Sequence, residues 1–304
     1  MAAVLSSVPS LDLPPVAAER REGRNAIGEV LGSPGGAIGA VVVVGLLVLA
    51  VFGPEIAPYS ATAINPLNTL QGPSLHHLLG TDQLGRDILS RLILGTRLEL
   101  SVAVPSVGGA VCLGLLLGLV GAYVGGVVDN LVVLLMDSVQ AFPAVVLALG
   151  LLAIIGPSTR NLILVIGLAF TPNYARVSRA LVYSVKQEQF VLAERSLGAR
   201  GERIMLRHIV PNIVAPLLIL MAMDMPSAIT TEAGLSFLGL GVPPPNPSWG
   251  AILADGFNYI QQSPWAVIWT SVTLAVTTVG FMLLGEALRD VFDPRVRGVG
   301  TWRA

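Results

Sequence analysis

Charge is what this chain has least of. Only 12% of its residues are Asp, Glu, Lys or Arg, about half the roughly 25% typical of soluble domains. With 53% hydrophobic residues, that shortfall excludes an ordinary water-soluble fold and points to an all-α, polytopic membrane protein. Net charge is −1, so there is no basic field for nucleic acid and no such partner is expected. Cys112 is the sole cysteine. It rules out an internal disulfide, and its apolar surroundings predict a small packing residue. Lysine is equally scarce: Lys186 stands alone, in Ser184-Val185-Lys186-Gln187. A phosphate-binding loop needs Gly-x-x-x-x-Gly-Lys-Ser/Thr, because its lysine pairs with the β/γ-phosphates. No glycine precedes Lys186, so ATP hydrolysis of that kind is excluded and energy must come from a partner or an ion gradient. The chain also lacks a Gly-x-Ser-x-Gly elbow and a His-Glu-x-x-His pair, so it is not read as an enzyme. The adjacent His76 and His77 have no suitably spaced Cys or carboxylate partner, and no metal site is expected. An apolar h-region near the start is missing too, which argues against a signal peptide.

What the chain has in abundance is long greasy runs. Six spans are predicted, at about 35–52, 98–124, 128–155, 162–182, 209–229 and 264–288, each near the roughly 17–25 residues needed to cross a bilayer. Pro105, Pro143 and Pro172 fall within or near them, which bundled membrane helices tolerate. Four regions follow: a tail at 1–34 with an amphipathic piece around Ile27–Leu31; a first span, loop and interfacial helix at 35–97; a core of five spans at 98–290; and a short basic tail at 291–304. The interfacial helix is placed at 81–97 because charges recur there at near-helical intervals, with Asp82/Arg86 and Asp87/Arg91 as exposed i,i+4 pairs.

Orientation comes from the basic residues. Six spans put both termini on one side, with Arg20, Arg21, Arg24, Arg176, Arg179, Lys186, Arg195, Arg200, Arg203, Arg207, Arg289, Arg295, Arg297 and Arg303. Only Arg86, Arg91, Arg97 and Arg160 fall on the other. The positive-inside rule then makes both termini cytoplasmic in a plasma or inner membrane. Intramembrane carboxylates mark cavities or partners, so Asp137 and Asp224, with the adaptable Met221 and Met225, are candidate translocation-pathway residues. A structural hydrogen bond explains them equally well.

The longest polar interval is Gln187–Asn212. Phe190, Ala193 and Leu197 recur at helical spacing and make one narrow apolar stripe, while Glu194 and Arg195 face elsewhere. Gly198 sits where a helix end favours a residue tolerant of the left-handed conformation, and Gly201 allows a second bend. The pattern reads as a short helix, a glycine turn and re-entry into the membrane near Met205–Pro211. A plain solvated loop accounts for it equally.

These residues also carry a resemblance. Ala193-Glu194-Arg195-Ser196-Leu197-Gly198-Ala199, then Arg207-His208-Ile209-Val210-Pro211-Asn212, resembles the signature loop of membrane subunits of ATP-binding-cassette importers, within the dipeptide/oligopeptide permease family. Leu192 stands at that pattern's usual Glu, and Glu194 at its second Ala. The block Gly80–Arg91, the block Glu232–Leu253 and the run Gly285–Asp290 with Asp293-Pro294-Arg295 match the same family in order. The resemblance implies a type I importer permease fold. It makes Phe190, Ala193, Glu194, Arg195, Leu197, Gly198 and Ala199 a coupling helix for ATPase subunits. It makes Pro243, Pro244, Pro245 and Trp249 part of a rigid, non-helical face for a substrate-binding protein. Implied partners are a homologous second permease subunit, two ATPase subunits holding ATP and Mg, that binding protein and membrane lipids. The implied function is peptide import by alternating access, with no cofactor on this subunit. Nickel or glutathione are alternative substrates, and an ion-coupled secondary transporter or a membrane scaffold are alternatives of another class.

Overall fold

The computed structural model describes residues 26–292. The expectations for residues 1–25 and 293–304, including most of the N-terminal tail and the Asp293-Pro294-Arg295 block, lie outside them. Among the described residues every named element is helical: α1 (Ala26–Gly32), α2 (Pro34–Ile56), α3 (Ile88–Val124), α4 (Gly126–Gln140), α5 (Ala144–Ile155), α6 (Thr159–Lys186), α7 (Gln189–Ser196), α8 (Gly201–Ile204), α9 (Val210–Phe237), α10 (Trp249–Asn258) and α11 (Trp265–Phe292). A π-helical turn, Met205–Ile209, joins α8 to α9.

Four stretches are long and apolar enough to cross a bilayer: α2, α3, Gly201–Phe237 and α11. The pair α4 and α5 makes a fifth, broken by 86° at the Ala141–Pro143 interruption. The remaining expected span is α6. At 28 residues it is long enough, but Arg160, Arg176, Arg179 and Lys186 dilute its apolar character.

The bundle is built around α3 and α6. Small residues let their backbones close, as membrane helices require where apolar burial alone gives no advantage over lipid. A Cβ on Gly118 of α3 would lie 2.5 Å from the Ala175 carbonyl oxygen of α6. The same device joins α2 to α11, where a Cβ on Gly39 would sit 2.5 Å from the Leu284 amide nitrogen. The main core gathers Val107 and Ala110 from α3, Ile166 and Tyr174 from α6, and Ile229 from α9. A second, smaller core lies at the 187–209 end, with Leu119, Ala122, Val182, Val191, Ile204, Ile209 and Ile213.

Three expectations are corrected at the opposite end. There is no separate interfacial helix at 81–97: residues 81–87 form a turn closed by a Thr81–Asp87 bridge, and residues 88–97 are the first turns of α3. The charges there are not exposed helix pairs. Asp82, 2% exposed, accepts from Arg86 Nε at 2.6 Å and also pairs with Arg91. Both arginines reach Asp255 of α10, at 3.1 and 3.4 Å. Asp87 caps α3 through the Ser90 amide at 2.8 Å and takes His77 Nδ1 at 2.9 Å. Charge that is neutralised internally does not need the membrane surface, which is why its periodicity misled. The block Glu232–Leu253 is not wholly non-helical either. Its first residues finish α9 and its last begin α10, with only 238–248 irregular. Cys112 is exposed rather than buried in the core.

Trp249 anchors the 57–87 end. It is wholly buried, its indole N–H donates to the Leu92 carbonyl at 3.0 Å, and its amide donates to Glu99 Oε1 at 2.8 Å. Trp249→Ala should lower unfolding free energy by about 3–5 kcal/mol, read as a lower denaturation midpoint in detergent. Pro243→Ala, in the same connection but exposed, should change it by less than about 1 kcal/mol.

Candidate coupling surface

α7 projects from the end of α6 as a short amphipathic helix. Val191 turns inward, 4% exposed, into the second core. Phe190, Ala193 and Leu197 turn outward, with Phe190 42% and Leu197 84% exposed. Arg195 is exposed beside them, and Glu194 is half-buried with Oε1 3.6 Å from His208 Nε2. The helix stops at a left-handed glycine. Gly198 has φ +80°. Its amide donates to the Arg195 carbonyl and that of Ala199 to the Glu194 carbonyl, each at 3.1 Å. That pair of bonds is the Schellman ending, which satisfies the last free carbonyls. Ala199 is half-buried against the second core. Gly201 serves differently from the expected bend: it opens α8, and a Cβ there would come within 2.9 Å of the Tyr123 hydroxyl.

Behind α7 lies a polar clamp that the sequence did not reveal. Lys186 Nζ donates to the carbonyls of Ala122 and Tyr123 at 2.8 and 3.2 Å. These belong to the last turn of α3, where free carbonyls and the helix dipole favour a cation. The ammonium also lies 5.2 Å from the Tyr123 ring centroid and 5.6 Å from that of Tyr183, within cation–π range. Beside it, Arg179 grips Asp129 of α4 through Nε and Nη2, at 2.6 and 2.7 Å, and the Tyr183 hydroxyl donates to the same carboxylate at 2.9 Å. The ends of α3, α4 and α6 are thereby fixed to one another directly under α7. The only sequence signal was the i,i+4 spacing of Arg179 and Tyr183.

The other candidates are scattered. Pro243, Pro244 and Pro245 are exposed at the far end, whereas the buried Trp249 is corrected: it cannot line a docking face. Asp137 of α4 is exposed and pairs with Arg176 of α6 at 3.0 Å. Arg176, counted among the basic residues of the cytoplasmic side, sits within α6, as the expected span 162–182 has it. Asp224 of α9 accepts from Asn173 Nδ2 at 3.4 Å. Met221 is half-buried, and Met225 is 4% exposed in the main core.

Residues 110–298 match the family described as binding-protein-dependent transport system inner membrane component. The chain belongs to that family. It is 37% identical over 260 residues to the dipeptide transport system permease protein DppC of Alkalihalophilus pseudofirmus, covering 86% of each chain. It is 33% identical to the oligopeptide transport system permease protein OppC of Bacillus subtilis, over 86% of this chain and 85% of the relative. Identity to the glutathione transport system permease protein GsiD of Escherichia coli is 37%, over 85% and 86%. Among solved structures, the inward-facing methionine ABC transporter MetNI superposes with a TM-score of 0.54 at 17% identity, covering 68% of this chain and 98% of that one. That likeness establishes the type I importer permease fold. The chain is therefore the multi-pass membrane subunit of an ATP-binding-cassette importer, a kind of assembly that includes ATPase and substrate-binding components.

The clamp makes a measurable claim about this permease. Lys186→Met removes a charge-assisted contact to a helix end. It should lower unfolding free energy by about 1.5–3 kcal/mol, measured by denaturant titration in detergent. Arg195→Met, on the exposed side of α7, should leave the midpoint unchanged.

Proposed function

We propose that this subunit carries di- or oligopeptides into the cytoplasm by alternating access, driven through α7 by separate ATPase subunits. The observation that carries the reading is the bare Phe190–Ala193–Leu197 face on a short helix backed by a rigid clamp. A coupling element must not absorb displacement by bending, and α7 is held by Val191 on one side and by the Gly198 ending at its tip. Its outward face suits an apolar groove on a partner, with Glu194 and Arg195 at the rim. ATP binding would close the ATPase pair, move α7 and open the membrane halves outward; hydrolysis would reset them.

The subunit does no bond chemistry and binds no cofactor of its own; ATP and Mg belong to the ATPase subunits. A homologous second permease subunit completes the pathway, and the exposed Pro243–Pro245 rim faces the binding protein. All six spans cross the membrane, with both termini and α7 cytoplasmic. The peptide relatives DppC and OppC support this substrate class. GsiD favours glutathione, itself a tripeptide derivative, as a second reading.

Two measurements test these statements. In a Cys112→Ala background, single cysteines replacing Ser196 and Asn246, both exposed, should label from opposite sides of the membrane; same-side labelling refutes the topology. Gly198→Val places a β-branched residue at positive φ, at a cost of about 1–3 kcal/mol. The variant should insert normally, yet lose ATPase pull-down and vesicle uptake by about tenfold or more. Leu197→Asp should do the same by putting charge into an apolar groove. Full binding and full uptake in both variants eliminate the coupling role.

A further inference from the structure

We infer that Arg176 and Asp224, backed by Asp137 and Asn173, form a polar waist at mid-depth of the bundle that contacts the oppositely charged ends of a zwitterionic substrate. The inference rests on the peptide-import reading and names the residues that would meet the peptide inside the membrane subunit.

Placement is the first argument. Asn173 and Arg176 fall near the middle of α6, Asp224 near the middle of α9, and Asp137 just before the break that bends α4 into α5. Three membrane elements therefore bring polar groups to a common depth. Substrate sites of membrane transporters gather at that depth, at broken helices. On α6 the exposed stripe runs Arg160, Leu164, Leu168, Asn173, Arg176, Ala180. Between the charged residue of its first turn and the waist it is apolar, and Asn173 and Arg176 break that run.

Exposure is the second. Paired charges inside a membrane protein are ordinarily buried. Here the side chains of Arg176 and Asp137 remain 58% and 57% exposed. They border a cleft of about 250 Å³ lined by Val132, Val133, Met136, Ala175 and Arg179. A half-bare ion pair at this depth requires a polar surrounding, from water, a ligand or the second permease subunit, rather than lipid tails. By contrast Asp129 and Arg179, nearer the α7 end, pair side-on through both carboxylate oxygens and the Nε–Nη2 edge of the fork.

Unused capacity is the third. Arg176 engages Asp137 through Nη2 and Oδ1 alone, leaving the rest of a fork shaped for a second carboxylate. Asp224 meets only amide and phenol neighbours and no cation among the described residues. A carboxylate arriving with its own ammonium group satisfies both, and a zwitterionic peptide supplies the two at once.

The test uses the complete transporter, with ATPase, second permease and binding protein, in proteoliposomes given radiolabelled Leu-Leu at neutral pH. Uptake and binding-protein-stimulated ATP hydrolysis are measured together. Arg176→Gln and Asp224→Asn should retain stimulated hydrolysis while uptake per ATP falls about tenfold, as for loss of a charge-assisted contact. The exchange Asp137→Arg with Arg176→Asp rebuilds the ion pair in reverse, and uptake should stay at the reduced level. Recovery to the wild-type ratio would show a purely structural pair and overturn the inference, as would unchanged uptake in both single variants. Should Arg176→Gln not assemble, Arg176→Lys keeps the pair but loses the fork. It should still reduce uptake per ATP several-fold, and an unchanged ratio again overturns the inference. Wild-type vesicles that import no dipeptide would refute the substrate class itself, a failure distinct from silent variants in active vesicles.

Discussion

The close approach of α3 and α6 is the constraint on which the rest of the molecule depends. Lipid tails are as apolar as leucine, so two membrane helices gain little from burying large side chains against each other. They gain from contact density, and Gly114 and Gly118 make that possible by leaving no Cβ between the backbones. Replacing either glycine would push α6 outward along much of its length. The consequences would be felt at both ends, because α3 spans the whole bundle and beyond. At about 1.5 Å per residue, its 37 residues exceed the roughly 30 Å hydrocarbon thickness. One end is gripped by Trp249 and the Asp82–Arg91–Asp255 cluster, and the other by Lys186.

Much of this was legible in the residues, but unevenly. The greasy runs located α2, α3, α9 and α11, and Pro143 marked the break between α4 and α5. Gly198 was readable as a helix end because a single residue with no Cβ settles the backbone locally. What failed were inferences from charge. Asp82, Arg86 and Arg91 suggested an interfacial helix because their spacing is helical, whereas in the fold they meet one another across a turn and across 160-odd residues to Asp255. Periodicity reports only neighbours along one element, so a charge neutralised by a distant partner looks solvated. Trp249 entered the docking set through the family resemblance, and nothing local shows that Leu92 and Glu99 will accept its two N–H groups. Lys186 was informative only for the loop it lacked; its cap on α3 depends on a tertiary approach.

The basic residues sort into three physical classes, and the distinction matters for function. Arg86, Arg91 and Arg179 are gripped by carboxylates that are themselves buried. Lys186 is satisfied by carbonyls and ring faces. These are fixed and can transmit displacement but not receive a ligand. Arg195 on α7 is exposed, beside the exposed Phe190 and Leu197. Arg176 falls between, paired yet more than half exposed. A cation in that intermediate condition can exchange partners without leaving a buried charge uncompensated, which the fixed ones cannot do.

That ordering gives a mechanical account of how the two ends of the subunit communicate. On the coupling proposal, a push on α7 would enter through Val191 and the second core, and Lys186 and Asp129 tie the ends of α6, α3 and α4 so that they would move together. Because α3 and α6 are in backbone contact, the pair behaves as one stiff element over its length. The bent α4–α5 segment is less constrained, since the 86° break at Ala141–Pro143 interrupts its hydrogen-bond ladder. Relative motion is therefore expected to concentrate where α4 meets its bend. Asp137 lies just before that bend and Arg176 on the stiff pair, so the Asp137–Arg176 contact bridges the rigid and compliant parts of the subunit. Displacement at α7 would change the separation of that pair more than that of the Asp129–Arg179 pair, which lies at the tied end.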